Sequence, residues 1–285
     1  MQFEERALAF CCGGDTLVGI ASVPAAPCTR GVLIVVGGPQ YRVGSHRQFA
    51  LLARHLAAQG IAAMRFDVRG MGDSGGDERD FEGIQDDIRA ALDAFVAAVP
   101  GMRDIVLWGL CDGASAAALY APGDARVRGL VLLNPWVRTD DGVARTTLKH
   151  HYRDRLHDPE FWRKLARGQF DYAGSFKSML GLVRAAFGAR SRRQDGAAAA
   201  LPERMRRSLH AFGGRTLLVI GGADLTGREF CDVAGSTPAW KRLSSAPHVA
   251  WRRLEDADHT FSRRAWRDQV AAWTSEWVQI GRAHV

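Results

Sequence analysis

The stretch "VLWGLCDGASAA" contains a cysteine in a setting suited to nucleophilic chemistry. Cys111 lies between Gly109 and Gly113, after an apolar run and before an alanine-rich, helix-prone segment. This is the G-x-S-x-G frame with cysteine in place of serine, and its central residue sits on a strained strand-to-helix turn above the sheet. We interpret Cys111 as a nucleophile. The motif alone leaves open an inert, buried thiol in a turn.

A thiol nucleophile needs a base, and the base needs an acid that orients it. Asp224, in "VIGGADLTG", follows a predicted strand, and His259, in "DADHTF", follows the last predicted strand. Loops at successive strand ends meet at one edge of an open sheet, so we predict a triad of Cys111, Asp224 and His259. Three other carboxylates are rivals for the acid role: Asp232, Asp256 and Asp258. We expect the last of these to shape the histidine loop instead.

Acyl chemistry also needs N–H donors for the oxyanion that develops on the carbonyl oxygen. We predict one donor at the backbone of Asp112, directly after the nucleophile. The second is Gly38 in "VVGGPQ", since Pro39 has no N–H. Alternatively, "GGP" forms a tight turn that has no role in binding the oxyanion.

The glycine-rich stretch "FDVRGMGDSGG" contains a serine outside any nucleophile frame. We predict that Ser74 shapes this turn. Asp67 and Arg69 are predicted to form a structural hydrogen-bonded pair with no catalytic role.

Short apolar runs alternate with amphipathic helical patterns, which predicts a mostly parallel, doubly wound α/β sheet. The predicted strands are Thr16 to Val23, Gly31 to Gly38, Ile61 to Gly70, Asp104 to Leu110, Val127 to Pro135, Arg215 to Asp224 and Val249 to Asp256. The predicted helices are His46 to Gln59, Phe81 to Val99, Ala114 to Tyr120 and Ser262 to Val278. A capping box of Ser45 and Gln48 is predicted to open the first helix.

The alternation stops between positions 137 and 210, where only helical fragments occur. We predict a helical cap at 137–210, inserted into a core formed by 1–136 and 211–279. The segment from Arg138 to Arg193 holds 13 Lys and Arg against 6 Asp and Glu, and this excess equals the whole net charge of +7. Seven aromatic residues are candidates for lining a pocket under the cap, although helical spacing favours a role in the cap core: Trp136, Tyr152, Phe161, Trp162, Phe170, Tyr172 and Phe176.

Composition limits the other classes of function. No apolar run of the 285 residues is long enough to span a bilayer, and no signal-peptide pattern follows Met1, so we expect a cytoplasmic protein. The five cysteines lack C-x-x-C spacing, so we expect reduced thiols and no metal site. No nucleic-acid-binding motif occurs, whereas the basic segment suits anionic substrates or peripheral contact with an anionic membrane. The last six residues, 280–285, match a translated sequencing adapter, and we expect them not to be native.

The motifs together resemble the α/β-hydrolases over nearly the whole chain. "GGPQ", "FDVRGMGDSGG", "GLCDGAS", "GGAD" and "DADHTF" carry this resemblance. More narrowly, "VVGGPQYRVGSHRQF", "RFDVRGMGDS" and "LWGLCDGAS" resemble the type 1 exosortase A system-associated hydrolases of bacteria that make exopolysaccharide. The resemblance implies a capped hydrolase fold with site residues Gly38, Cys111, Asp112, Asp224 and His259. One departure from the broader superfamily is Val36, where many members have the histidine of an H-G-G motif.

These observations predict a cysteine-dependent hydrolase of a small or carrier-linked acyl ester or thioester, with no metal or organic cofactor. Two alternatives stay open: an acyltransferase that uses the same thioacyl intermediate, and a catalytically silent binding protein on the hydrolase frame. Neither the natural substrate nor the oligomeric state follows from the sequence.

Overall fold

The computed structural model describes residues 2–38, 40–137 and 199–280. Eight strands form one sheet. In chain order they are β1 Phe3–Cys12, β2 Asp15–Pro24, β3 Arg30–Val35, β4 Ala62–Phe66, β5 Asp104–Leu110, β6 Val127–Leu133, β7 Arg215–Gly221 and β8 Val249–Leu254.

The sheet has the order β1-β2-β4-β3-β5-β6-β7-β8. The pairs β1/β2 and β2/β4 are antiparallel, and all later pairs are parallel. Strand order reverses around β3 and β5, which lie side by side in the middle of the sheet. Crevices at such reversals, beyond the carboxyl ends of the strands, are where open sheets form their sites.

Helices cover both faces of the sheet. Within the described ranges they are α1 Gln48–Ala58, α2 Gln85–Ala98, α3 Asp112–Tyr120, α4 Leu201–Phe212, α5 Leu225–Ala234, α6 Pro238–Ser244 and α7 Arg264–Ile280. Helices α1 and α7 share one apolar cluster with the sheet, whereas α2 to α6 contribute to the other. No helix among the described residues is both long enough and apolar enough to cross a membrane.

The doubly wound, mostly parallel sheet predicted from the sequence is confirmed, and each of the seven predicted strands is present. Strand β1 is the one that the sequence analysis missed. It forms the sheet edge, most of its residues are exposed or half-buried, and Glu4, Glu5 and Arg6 interrupt its apolar residues. An edge strand of this kind lacks the continuous apolar run by which the central strands were recognised.

The predicted capping box at the start of α1 was wrong. The Ser45 hydroxyl lies 3.4 Å from Oε1 of Gln40 and caps no helix N–H. The residue that precedes α1 is Arg47, in a left-handed conformation with φ of 60°. The chain therefore enters α1 through an irregular turn, which separates Ser45 from the helix.

The predicted insertion lies mostly outside the described residues, and its boundaries stay a prediction. Helix α4 spans the predicted boundary at position 210 and packs on α3. The Ser208 hydroxyl donates to the carbonyl of Ala118 at 2.8 Å, and Met205 and Leu209 are buried. Helix α4 therefore packs directly on the helix that starts at the candidate nucleophile.

Candidate active site

Cys111 is the single residue between β5 and α3. Its backbone has φ of 59° and ψ of −124°, a conformation that side chains other than hydrogen disfavour. The carbonyl of Leu133 accepts its N–H at 2.9 Å, and its own carbonyl accepts from Trp136 at 3.1 Å. Backbone from the end of β6 therefore holds the strained turn on both sides.

Two glycines make this turn sterically possible. A Cβ atom on Gly109 would lie 2.5 Å from the carbonyl carbon of Gly113, inside any permitted contact. A Cβ atom on Gly113 would lie 2.6 Å from the carbonyl oxygen of Val35. Close approach of backbone to backbone explains both glycines of the G-x-C-x-G frame.

The predicted acid and base meet at the carboxyl ends of β7 and β8. Nδ1 of His259 lies 3.0 Å from Oδ2 of Asp224. Asp224 is the N-cap of α5, where its carboxylate accepts the N–H of Gly227 at 2.9 Å. Its side chain is 7% exposed, against 37% for His259. A fixed, buried carboxylate thus orients an imidazole that solvent and substrate can reach.

His259 connects this carboxylate to the candidate nucleophile. Its hydrogen bond to Asp224, and then its hydrogen bond to the Cys111 side chain, raise the pKa of His259 from 6.5 to about 10, against the opposing effect of burial. The imidazolium form is therefore favoured at neutral pH.

Asn134 was not predicted from the sequence, yet it organises the same loop. It is fully buried at the end of β6, with a positive φ of 40°. Its Oδ1 accepts the N–H of Gly221 at 2.8 Å, and its Nδ2 donates to the carbonyl of His259 at 3.0 Å. Asn134 thus joins the end of β7 to the histidine loop. The only sequence signal was a polar residue directly after the apolar run of β6.

The predicted oxyanion donors, Gly38 and Asp112, are brought together next to Cys111. The Asp112 carboxylate already accepts from this region: Oδ2 takes the N–H of Gly38 at 2.8 Å and Oδ1 takes the N–H of Gly113 at 2.9 Å. The backbone N–H of Asp112 itself also acts to lower the pKa of this carboxyl. Sequence reasoning considered only the backbone of Asp112 and missed this role of its side chain.

A cleft of about 360 Å³ opens beside these donors. Its apolar lining includes Val36, Val68, Met71, Phe81 and Ile84, and its charged lining residues are Glu78, Arg79, Asp80 and Asp112. Burial raises the pKa of the Asp112 carboxyl, and its three backbone hydrogen bonds act in the opposite direction. The cleft borders the donors and presents three carboxyl groups against one guanidinium.

The residues of the glycine-rich stretch have structural contacts. The Ser74 hydroxyl accepts the N–H of Val18 at 2.9 Å and donates to the carbonyl of Asp67 at 2.7 Å, so it shapes the turn as predicted. The predicted pair of Asp67 with Arg69 was wrong. Arg42 binds the buried Asp67 carboxylate through side chain and backbone, while Nε of Arg69 donates to Asp87 at 2.6 Å. Each group takes its partner from another element because the turn directs the two side chains apart.

The rival carboxylate nearest His259 has a local role. Asp258 accepts the N–H of Ser262 at 2.9 Å and also its hydroxyl, which fixes the start of the segment leading to α7. The hydrogen bonds from Ser262 lower the pKa of Asp258, against the opposing effect of burial. The expectation that Asp258 shapes the histidine loop agrees with these contacts.

Of the aromatic residues suggested for the pocket, Trp136 alone is described, half-buried beside the elbow. The other six lie outside the described residues.

No three His, Cys, Asp or Glu side chains group as metal ligands within the residues that the structure describes. The structure brings the thiol, imidazole and carboxylate together in the candidate site, with backbone N–H groups as further donors.

Comparisons with known proteins agree with this architecture. The family model described as "Serine aminopeptidase, S33" matches residues 28–159, which include the elbow but not Asp224 or His259. A search of curated proteins found no relative. The model's description specifies serine, whereas this chain has Cys111 at the elbow.

Solved structures match over almost the whole chain. The esterase Pf2001 of Pyrococcus furiosus has a TM-score of 0.65 at 15% identity, covering 97% of this chain and 92% of its own. Est1E of Butyrivibrio proteoclasticus, solved with ferulic acid, has a TM-score of 0.64 at 16% identity, and the match covers 97% of this chain and 100% of its own. A dienelactone hydrolase of Anabaena variabilis has a TM-score of 0.61 at 16% identity, and the match covers 98% of each chain. Together with the strand order and the elbow, these matches show that the chain has the α/β-hydrolase fold.

Proposed function

We propose that the protein is a hydrolase that cleaves esters or thioesters with Cys111 as its nucleophile. One arrangement carries the proposal: Nδ1 of His259 lies 3.0 Å from the Asp224 carboxylate, and after Asp224 it is the side chain of Cys111 that contributes most to raising the pKa of His259. This chain of thiol, imidazole and buried carboxylate is the arrangement that activates a nucleophile. The esterase Pf2001 and the dienelactone hydrolase, which have a similar fold, add support for the reaction class.

The first half of the reaction forms a thioester. The Cys111 thiolate attacks the carbonyl carbon, and the electron pair of the C=O bond moves to the oxygen. Backbone N–H groups at Gly38 and Asp112 are the donors for this oxyanion. When the C=O bond re-forms, the bond to the leaving group breaks, and the leaving oxygen or sulfur takes a proton from His259.

The second half returns the free enzyme. Neutral His259 accepts a proton from water as the water oxygen attacks the thioester carbonyl, and collapse of this intermediate expels the thiolate. Asp224 keeps His259 in the orientation and tautomer that both steps require. A thiolate is a good leaving group and attacks activated carbonyls well, so esters, thioesters and lactones are favoured over amides.

Charge placement suggests the substrate class. The cleft beside the oxyanion donors carries three carboxyl groups and one guanidinium, which disfavours an anionic acyl part. The excess of positive charge lies in the segment 138–193 instead. We therefore propose a neutral acyl group attached to an anionic carrier or lipid. The motif resemblance to exosortase A system-associated hydrolases suggests a setting in bacteria that make exopolysaccharide, and it does not specify the substrate.

The proposal is tested by measuring acid release from a short neutral acyl thioester. We expect turnover by the wild type and by Cys11→Ala, which removes an exposed thiol far from His259, and no turnover by Cys111→Ala. Turnover that survives in Cys111→Ala contradicts the proposal, as does the absence of both turnover and acylation in the wild type. Adding a sugar acceptor separates hydrolysis from acyl transfer, because a transferase releases acylated sugar in place of the free acid.

A further inference from the structure

An N–H group predicted to bind the oxyanion already donates to a carboxylate of the protein itself. The Asp112 side chain accepts the N–H of Gly38 at 2.8 Å and that of Gly113 at 2.9 Å, and the N–H of Asp112 itself also acts to lower the pKa of this carboxyl. Gly37 makes room for the side chain, since a Cβ atom there would overlap Oδ1 of Asp112. Of these three N–H groups, those of Gly38 and Asp112 are the ones predicted for the oxyanion.

An occupied oxyanion hole is unfavourable for acyl chemistry. Donors accelerate the reaction when they point at the position where negative charge develops in the transition state. A carboxylate in that position takes the hydrogen bonds and also repels the developing charge. Coulomb repulsion between like charges is stronger in a partly buried site than in bulk water.

We propose that the Asp112 carboxylate is an internal competitor for the oxyanion hole, which a substrate carbonyl must displace before Cys111 can be acylated. The inference rests on the proposed function. It assigns Asp112 a positioning role that its place in the G-x-C-x-G frame does not reveal. The side chain of Asp112 borders the cleft that Met71 and Phe81 also line, and rotation about its Cα–Cβ bond towards this cleft is the displacement that we propose.

This arrangement has a consequence for the product. The acid released by hydrolysis is a carboxylate, which would otherwise bind to the same N–H groups beside the His259 imidazolium. Return of the Asp112 carboxylate to the hole competes with this product and favours its release. We therefore expect the wild type to be insensitive to simple carboxylates, and a variant without the side chain to bind them.

The experiment compares two reactions of the same thiol. Acylation of Cys111 by a neutral acyl thioester uses the oxyanion hole, whereas alkylation by iodoacetamide does not. Their ratio of rate constants therefore cancels changes in the thiolate population. For Asp112→Ala we expect this ratio to rise at least about tenfold. The loss of one oxyanion donor typically lowers kcat by about 10²- to 10³-fold, so freeing the donors should have an effect of at least this size. Acetate should inhibit this variant and leave the wild type unaffected.

The matched control is Glu78→Gln, which removes a carboxylate from the same cleft without freeing the three N–H groups. We expect it to change the ratio less than about twofold, because the charge is lost but no donor becomes available. If Asp112→Ala does not fold, the same ratio is measured for Asp112→Asn. Its neutral amide competes less well for the donors, so the ratio should still rise.

An unchanged or lower ratio in the folded Asp112 variant overturns the inference, as does an equal rise in Glu78→Gln. A role of Asp112 confined to stabilising the start of α3 would lower the melting temperature without raising the ratio. The proposed function fails by a different result, namely acylation that persists in Cys111→Ala. The two failures are therefore distinguishable in the same assay.

Discussion

At the scale of single residues, Asp224 has two functions that one substitution can separate. Its carboxylate caps α5 through the N–H of Gly227, and it hydrogen-bonds to His259. Asparagine is an equally good N-cap, so Asp224→Asn keeps the helix start while it removes the charge. The catalytic contribution of the carboxylate can thus be measured with little change in stability.

We predict that Asp224→Asn lowers kcat/KM by about 10²- to 10⁴-fold, because His259 loses the partner that holds its productive tautomer. The pKa of His259 should fall, since Asp224 is the main cause that raises it. Steady-state kinetics and the pH titration of His259 by NMR check both effects. Asp232→Asn, at a rival carboxylate of α5, is the matched control and should retain activity. A fully active Asp224→Asn would contradict the assignment.

The raised pKa of His259 also predicts how stability depends on pH. Because the folded protein binds this proton more tightly than the unfolded chain, the stabilisation is complete below pH 6.5 and disappears as pH rises towards about 10. The difference in free energy of unfolding between the wild type and His259→Gln should therefore shrink from pH 6 to pH 9. Urea denaturation across this range measures it. A difference that grows with pH would contradict a raised pKa of His259 in the folded protein.

At the scale of elements, the junction of β5 and α3 stores backbone strain at Cys111. A residue with a side chain at φ of 59° and ψ of −124° costs on the order of 1–3 kcal/mol, which glycine avoids. We predict that Cys111→Gly raises the free energy of unfolding by about 1 kcal/mol and abolishes activity. Cys11→Gly, in the extended β1, should instead lower stability by about 0.5–1 kcal/mol. Urea denaturation of both variants tests whether Cys111→Gly raises the free energy of unfolding while Cys11→Gly lowers it.

The ends of β6 and β7 and the histidine loop are held together by Asn134. Asn134→Ala leaves the N–H of Gly221 and the carbonyl of His259 without their buried partner, which should cost about 1–3 kcal/mol of stability. We predict that kcat falls more than KM changes, because the histidine is misplaced while the cleft is intact. A variant with reduced stability but unchanged kcat would limit Asn134 to a structural role.

At the scale of the whole molecule, the sheet explains how much of the site was predictable. Strands β3, β5, β6 and β7 are buried on both faces and have continuous apolar runs, so their carboxyl ends were visible in the sequence. The residues predicted to form the triad follow strand ends: Cys111 follows β5, Asp224 follows β7, and His259 follows the less buried β8. The contacts of Asn134 and the bond between Gly38 and the Asp112 side chain were missed because these partners are tens of residues apart, and a contact across the fold has no local pattern. Edge strand β1 lacked the apolar signal altogether.

The distribution of charge over the chain predicts a preference among substrates. If the basic segment 138–193 binds an anionic carrier, a neutral acyl group on an anionic thioester should have a lower KM than the same group on a neutral thioester. Added salt should reduce this difference, since exposed charges are screened. Equal and salt-independent activity on the two thioesters would contradict the proposed carrier.

The central claim is that His259 and Asp224 activate Cys111 as a nucleophile, and trapping the acyl-enzyme tests it most directly. Intact-mass analysis after brief treatment with an activated acyl thioester should show one acyl adduct on the wild type and on Cys11→Ala. Peptide mapping should locate it at Cys111. The adduct should be absent from Cys111→Ala and should form more slowly in His259→Ala. An adduct of equal yield on Cys111→Ala, or an equal rate of acylation in His259→Ala, would contradict the account.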